Sequence, residues 1–322
     1  MRVIGRIGEY RGKLEIVING PNQIEVLPGP PEGGIAASRP ASQPASRPAR
    51  DTIRVATYNV LNLFDAEDDP YRDDEGTRTK PRSELERLAA TIRRLDADVL
   101  ALQEVENRFY LERFVRVLLP DMGYRHVVHF EGNDNRGIDC AVLSRLPVGP
   151  VTSYRHILFD GPGRRPMRFL RDLLRVRIEP PDAAPFDVFV VHLKSKGSGE
   201  SSHPIRLAEA QQVRAIVDDL LSHDPRARFV LCGDFNDEWD SPSLLALRGG
   251  GDTELKCFWT ELPDDNRITY NKAPYRSMID FILCSPAMSR TYVANSYTIL
   301  PGDVESCGSD HNPVVAVFRI RE

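Results

Sequence analysis

The chain holds no apolar run approaching the roughly 18 residues a membrane-crossing helix needs, so membrane insertion is not expected. Met1 to Tyr10 contain no apolar stretch of signal-peptide type. As the chain stands, a cytoplasmic protein is expected; a secreted one would need a signal sequence upstream of Met1. Cysteine is sparse: five residues, at 140, 232, 257, 284 and 307, with no Cys-x-x-Cys pair. That argues against a disulfide framework or a thiolate metal site. Cys140, Cys232 and Cys284 lie inside apolar runs and read as buried thiols. A broad excess of positive charge is also missing. Residues 1–50 carry seven Lys/Arg against four Asp/Glu, and the remainder carries 35 against 43. An acidic body argues against a broad electrostatic grip on nucleic acid. It suits a site that gathers carboxylates around a divalent cation. No segment points to an obligate protein partner.

What is present divides into three parts. With 322 residues and 41% hydrophobic content, the chain can bury one large core and carry an appendage. Residues 28–50 read as a linker, in which Ala37-Ser38-Arg39-Pro40, Ala41-Ser42-Gln43-Pro44 and Ala45-Ser46-Arg47-Pro48 are three copies of a four-residue unit. Proline at every fourth position builds no core and favours extended conformers. Residues 1–27 are then a separate element, with strands expected over 2–7, 13–18 and 24–27. So short a piece cannot hold an independent core. Through Gly5, the turn Glu9-Tyr10-Arg11-Gly12, Glu15-Ile16-Val17 and Gln23-Ile24-Glu25-Val26 it resembles the C-terminal part of a small OB-fold found in some bacterial nucleases. A simple hairpin is the alternative.

From residue 51 to 322 strand and helix patterns alternate. Strands are expected at Ile53–Tyr58, Val99–Leu102, His126–Phe130, Asp139–Leu143, Leu170–Ile178, Asp187–Val191, Phe229–Cys232, Met278–Cys284 and Val314–Ile320. Helices are expected from Ser83 to Leu95, over Tyr110–Leu119 and over Ile205–Leu221. Ser83 and Glu86 have the spacing of a capping box. The expected fold class is α/β: a four-layer α/β/β/α sandwich of two packed mixed sheets flanked by helices.

Five of the apolar runs border on polar clusters. These are Tyr58-Asn59-Val60, Gln103-Glu104, His192, Gly233-Asp234-Phe235-Asn236-Asp237 and Ser309-Asp310-His311-Asn312-Pro313. Hydrolysis of a phosphodiester needs a cation, an activated water and stabilisation of developing charge. Magnesium takes a few oxygen ligands and keeps several waters. Asn59 and Glu104 can supply such oxygens. Asp234 can accept a proton from water while Asn236 donates to a phosphate oxygen. His311 suits phosphate contact or proton transfer. Asp280, a charge inside the apolar strand Ile279-Asp280-Phe281-Ile282-Leu283, needs a partner. His311 is the expected one.

Taken together with Arg136-Gly137-Ile138-Asp139, Val191-His192-Leu193-Lys194-Ser195 and Ile279-Asp280-Phe281, the clusters resemble the endonuclease/exonuclease/phosphatase superfamily, in its nuclease-like branch. The resemblance covers residues 51–322. It implies a Mg2+-dependent phosphodiester hydrolase, with Mn2+ as a substitute. Asn59 and Glu104 would hold the metal, with Asp310 a further carboxylate. Asp234 would activate water, Asn236 would stabilise the phosphoryl group, and Asp280 with His311 would form a dyad on the phosphate. His192 would protonate the leaving group. Abasic-site enzymes carry an acid two residues after the first Asn; Leu61 stands there and argues against that branch.

Substrate is read from weaker signals. Seven arginines lie within residues 155–177, and Arg171, with Arg136 and Lys194, is a candidate for contacting phosphates. The acidic run Asp65–Glu75 could hold a structural Ca2+, but it lacks EF-hand spacing and reads better as a solvated loop. The expected function is an endonuclease on DNA or RNA. The alternative is a phosphodiesterase or phosphatase on lipid or inositol phosphates.

Overall fold

The computed structural model describes residues 2–3, 6–10, 13–17, 24–25, 51–181 and 183–320. Two compact units divide at residue 48, and each is described separately. In the first, Arg2–Val3 pairs antiparallel with Ile24–Glu25, and Arg6–Tyr10 with Lys13–Val17. The expected linker, residues 28–50, lies outside the described residues.

In the second unit the apolar runs form two mixed sheets. One has six strands in the order 298–299, 314–319, 52–63, 99–105, 139–144, 126–129. The other has five, in the order 280–284, 229–234, 186–192, 173–178, 148–153. Each sheet contains one parallel pair, Thr52–Leu63 with Val99–Val105 and Phe186–His192 with Phe229–Asp234. A parallel pair requires a crossover. Here the crossovers contain α1 (Arg82–Leu95) and, later in the chain, α3 (Ser202–His223). A further helix, α2 (Arg108–Leu118), follows Val99–Val105, and α4 (Pro242–Arg248) follows Phe229–Asp234.

Side-chain alternation sorts each strand between two cores. Val55, Val99, Val142, Val188, Val190, Val230 and Ile282 face the space between the sheets. Tyr58, Leu100, Leu102 and Leu143 pack outward with α1 and α2 residues such as Leu88 and Phe114. Phe189, Val191, Leu231 and Leu283 pack outward with α3 and α4 residues such as Val213 and Leu244. The result is the expected four layers.

Two local expectations need correction. The helix α1 begins at Arg82 with Pro81 at its N-cap and no side-chain cap, so Ser83 and Glu86 form no capping box. Glu86 pairs with Arg82 instead, at 2.7 Å. Glu84 in the first turn accepts from Arg78 at 2.8 Å, where a carboxylate offsets the helix dipole. Second, strand 52–63 and strand 99–105 are both bulged, between Asn59 and Leu63 and between Gln103 and Val105. The second bulge places Glu104 at φ +64°.

One glycine sets the rung next to the polar ends. Gly233 (φ +142°) pairs with Val191, and a Cβ there would fall 2.0 Å from the Val191 carbonyl oxygen. Gly233→Ala is expected to cost about 2–4 kcal/mol, from strain and overpacking. A urea-unfolding midpoint equal to wild type would show that this rung is not sterically closed.

Candidate active site

The polar residues gather where the inner faces of both sheets run out of apolar side chains. Along strand 52–63 the inner series Val55, Thr57 ends at Asn59; along 186–192 Val188, Val190 ends at His192; along 229–234 Val230, Cys232 ends at Asp234. Strand 280–284 runs the other way and begins with Asp280. His192 is the rung partner of Asp234, and Asp234 of Asp280, so three adjacent strands present them side by side. Glu104 would face outward by simple alternation. The bulge turns it into the same space, where Oε1 accepts from Asn59 Nδ2 at 3.2 Å and Oε2 from Asn62 N at 3.0 Å.

Asp234 is the centre of this group. Oδ1 accepts from the Asn236 backbone at 2.8 Å and Oδ2 from Asn59 Nδ2 at 3.0 Å. His192 Nε2 lies 3.5 Å and His311 Nε2 3.8 Å from that Oδ2. His311 Nδ1 is 2.9 Å from Asp280 Oδ2, so the structure brings together the expected Asp–His pair. Thr269 Oγ1 fixes Asp280 by accepting from its backbone N at 3.0 Å. Ser309 Oγ donates to Asn59 O at 2.7 Å and accepts from His311 N at 3.1 Å, tying the last cluster to the first.

The two histidines are electrostatically opposite. Burial, and then the positive charges of Arg171, His311 and Arg136, hold His192 well below the usual imidazole range. Burial also lowers His311, but the Asp280 and Asp234 carboxylates outweigh it and raise the imidazole overall. Asp234 is raised by burial and then by the charge of Asp280. The site therefore offers one neutral imidazole, one cationic imidazole and a carboxylate of increased basicity.

A cavity of about 950 Å3 opens over these groups. Glu104, Arg136, Arg171, Asn236 and Asp310 line it together with His192, Asp234 and His311. For a cation, the ligand atoms of Asp234, Asp280 and His311 lie within 4.8 Å of one another among the described residues. Those atoms already serve one another, however, with His311 Nδ1 committed to Asp280. Asp280 Oδ1 and Asp310 Oδ1 are both buried without a hydrogen-bond partner; Asp280 already serves His311 through Oδ2, whereas Asp310, 3.6 Å from Lys272 through Oδ2, also lines the cavity, where its lone pairs suit a hard cation. Asn59 acts as a bracket: its Nδ2 joins two carboxylates while its Oδ1 accepts from Leu61 N at 3.0 Å.

The phosphate-binding candidates separate. Arg136 lines the cavity and reaches Asn62 Oδ1 at 2.7 Å. Arg171 also lines it, but its Nε is bound to Asp134 at 2.7 Å. Lys194 does not line it. Its backbone is pinned by α3, with Glu209 accepting from its N at 2.8 Å and Arg206 donating to its O at 2.8 Å. Lys196 lines the cavity instead, 3.2 Å from Asp237. Arg164, Arg165 and Arg168 are exposed and do not line it. The hairpin of Tyr270–Lys272 and Tyr275–Ser277 was not expected from sequence, yet it places Tyr270, Lys272 and Arg276 along the cavity. Buried Arg206 and Glu209, the clamp on the His192 loop, were also missed.

A sequence model described as the Endonuclease/Exonuclease/phosphatase family matches residues 54–303. The chain belongs to this family. Membership makes it a phosphoester hydrolase by class. No curated protein matches it in sequence. Solved members of similar fold include the human Nocturnin catalytic domain with bound sulfate (20% identity, 84% of this chain and 95% of that one, TM-score 0.59). D. rerio TDP2 complexed with single-strand DNA product is similar too (17%, 84% and 99%, 0.57). So is an endonuclease/exonuclease/phosphatase from Beutenbergia cavernae DSM 12333 (22%, 84% and 72%, 0.55).

The Arg136–Asp139 segment of this family member does two jobs. Arg136 serves the cavity, whereas Asp139 is buried, accepts from Gly132 N at 2.7 Å and lies 3.7 Å from His129. Burial pushes the Asp139 carboxyl up to about 8. A carboxyl raised in the folded state holds a proton that the unfolded chain releases near pH 4. Stability is therefore lost as pH rises from about 4 to about 8. Asp139→Asn is expected to flatten this part of the stability–pH profile; an unchanged slope would show that Asp139 is ionised in the fold.

Proposed function

We propose that this chain is a divalent-metal-dependent endonuclease that cleaves DNA or RNA by attack of water on phosphorus. The observation that carries this reading is Asp234, buried and raised in basicity, held between a cationic and a neutral imidazole on the floor of an open cavity. Asp234 accepts the proton of the attacking water. His311, oriented by Asp280, donates to a phosphate oxygen as charge accumulates. His192, neutral in the metal-free site, faces Asp234 and Glu104 and so does not carry the acid proton expected of it; its ring N–H serves the leaving oxygen as a hydrogen-bond donor, and that oxygen takes its proton from water. The second amide hydrogen of Asn236 serves the phosphoryl group, its first being donated to Leu193 O at 3.0 Å.

Glu104 and Asp310 are the proposed metal ligands, with Asn59 holding Glu104 in place. Mg2+, or Mn2+ in its stead, supplies Lewis-acid stabilisation of the phosphoryl oxygens when bound. Nucleic acid is favoured over a lipid by the cavity lining. Lys196, Lys272, Arg136 and Arg276 suit a polyanion, while of the exposed large apolar side chains among the described residues only Tyr275 lines the cavity. No helix among the described residues is long and apolar enough to cross a membrane. The TDP2 relative captured with single-strand DNA product agrees with this preference.

The test is hydrolysis of DNA, RNA, sphingomyelin and inositol phosphates with Mg2+, with Mn2+ and with EDTA. Nucleic acid should be cut internally, and EDTA should stop the reaction. Asp234→Asn should lower kcat by about a hundred- to ten-thousand-fold while the protein remains folded. Absence of nucleic-acid cleavage with either metal, or turnover confined to the lipid or inositol substrates, overturns the reading.

A further inference from the structure

The hairpin over the catalytic cavity is tied to catalytic residues through its backbone. Tyr270–Lys272 pairs with Tyr275–Ser277 across the two-residue turn Ala273-Pro274. Asn271 N donates to Asp310 O at 2.8 Å, and Asn312 N donates to Thr269 O at 2.6 Å. Thr269 N donates in turn to Ser277 O at 2.9 Å, and Asn271 Nδ2 to Gly302 O at 2.7 Å. The ring of Tyr270 meets that of His311, with centroids 5.1 Å apart. The root of the hairpin is therefore fixed relative to Asp310 and His311.

Strand alternation sorts the hairpin's side chains. Tyr270 and Lys272 share one face, and their cross-strand partners Ser277 and Tyr275 share it with them. All four line the cavity, whereas Asn271 does not. The rung of Lys272 and Tyr275 lies about 7 Å farther out than that of Tyr270. There the Tyr275 side chain stands at the rim, 68% exposed. Among the described residues no ring or guanidinium is stacked on it, so its faces are open. Lys272 lies directly across from it and Arg276 follows it in the chain, and both are exposed. This surface is an aromatic plane with a cation on either side. It repels an organic cation and suits a neutral planar group joined to anions on both flanks. An unpaired nucleobase within a strand has that chemistry, and base–aromatic stacking contributes affinity with little sequence preference.

Resting on the nuclease reading above, we propose that Tyr275 is a stacking platform for one unpaired nucleobase beside the cleaved phosphate, with Lys272 and Arg276 meeting the phosphates that flank this base. A base inside a duplex already has both faces stacked, so the platform selects single-stranded over paired nucleic acid.

The test compares two oligonucleotides of equal length and phosphate count, one single-stranded with all its bases and one abasic throughout. Binding to the full chain is read by anisotropy in EDTA. The base-bearing strand should bind about tenfold more tightly. Tyr275→Leu should remove that difference and Tyr275→Phe should keep it, with binding of the abasic strand unchanged in both. Arg276→Gln should weaken both strands alike and make the salt slope shallower by about one. Equal affinity of the wild-type chain for the two strands overturns the platform, even where a variant fails to fold. So does an equal loss on both strands in Tyr275→Leu. A Tyr275→Leu defect confined to phosphatidylserine vesicles assigns the ring to a lipid surface and overturns it as well. With Mg2+ or Mn2+, cleavage without base-dependent binding removes the platform and leaves the nuclease reading intact. Base-dependent binding without cleavage by either metal does the reverse.

Discussion

Gly233 against the Val191 carbonyl is the contact on which the catalytic end depends. That rung admits no side chain, and the next one along sets His192 beside Asp234, with Asp280 on the far side of Asp234. Because strand side chains alternate, a slip of one residue would turn all of these groups to the wrong face. Both faces of the central strands are buried, which makes such a slip costly. The apolar packing of the sandwich and the alignment of the site are therefore one constraint, expressed at two ends of the same strands.

Burying this many ionisable groups is expensive unless each is partnered. The site meets the cost by sharing. Asn59 gives both amide hydrogens to carboxylates, one to Glu104 and one to Asp234. Asp280 spends its charge on His311, which stays cationic. His192, whose Nδ1 has no hydrogen-bond partner, makes no carboxylate bond as short as that of His311, although Asp234 and Glu104 lie 3.5 and 4.0 Å from its Nε2; burial, and then the charges of Arg171, His311 and Arg136, keep it neutral. Two identical side chains a few ångströms from one carboxylate thus acquire different proton affinities from their partners alone. Behind them Arg206 and Glu209 hold the loop that carries Lys194. The geometry of the candidate site is thus supported by polar contacts buried on a helix, together with the packing of Leu193 in the core.

The sheets and most of the site were legible because buried strands announce themselves as apolar runs, and a polar residue at such an end stands out. Asn59, His192, Asp234, Asp280 and His311 were visible on that ground. Glu104 stood at such an end too, but simple alternation turns it outward, and the bulge that aims it inward, with φ +64° at Glu104, has no sequence signature. Lys194 does not line the cavity, and local sequence does not show that α3 captures its backbone. Arg206 and Glu209 were hidden within a helix read for its apolar positions; two charges facing a sheet were the available signal. The hairpin over the cavity was missed because its strands have three residues each, too short for alternation to register. Ser83 failed as a cap because the helix begins at Arg82 and its N-cap is Pro81, two residues before Ser83.

On the nuclease reading proposed above, the charge distribution bears on how an acidic chain would meet a polyanion. The body beyond residue 50 carries 43 acids against 35 bases, so long-range attraction to nucleic acid is absent. The bases that matter are local. Arg136, Lys196, Lys272 and Arg276 line the cavity whose floor holds Glu104, Asp234 and Asp310. On that reading a phosphate would meet these cations and carboxylates together, and a divalent ion held by Glu104 and Asp310 would offset the negative charge, so that metal binding would favour substrate binding as well as the reaction.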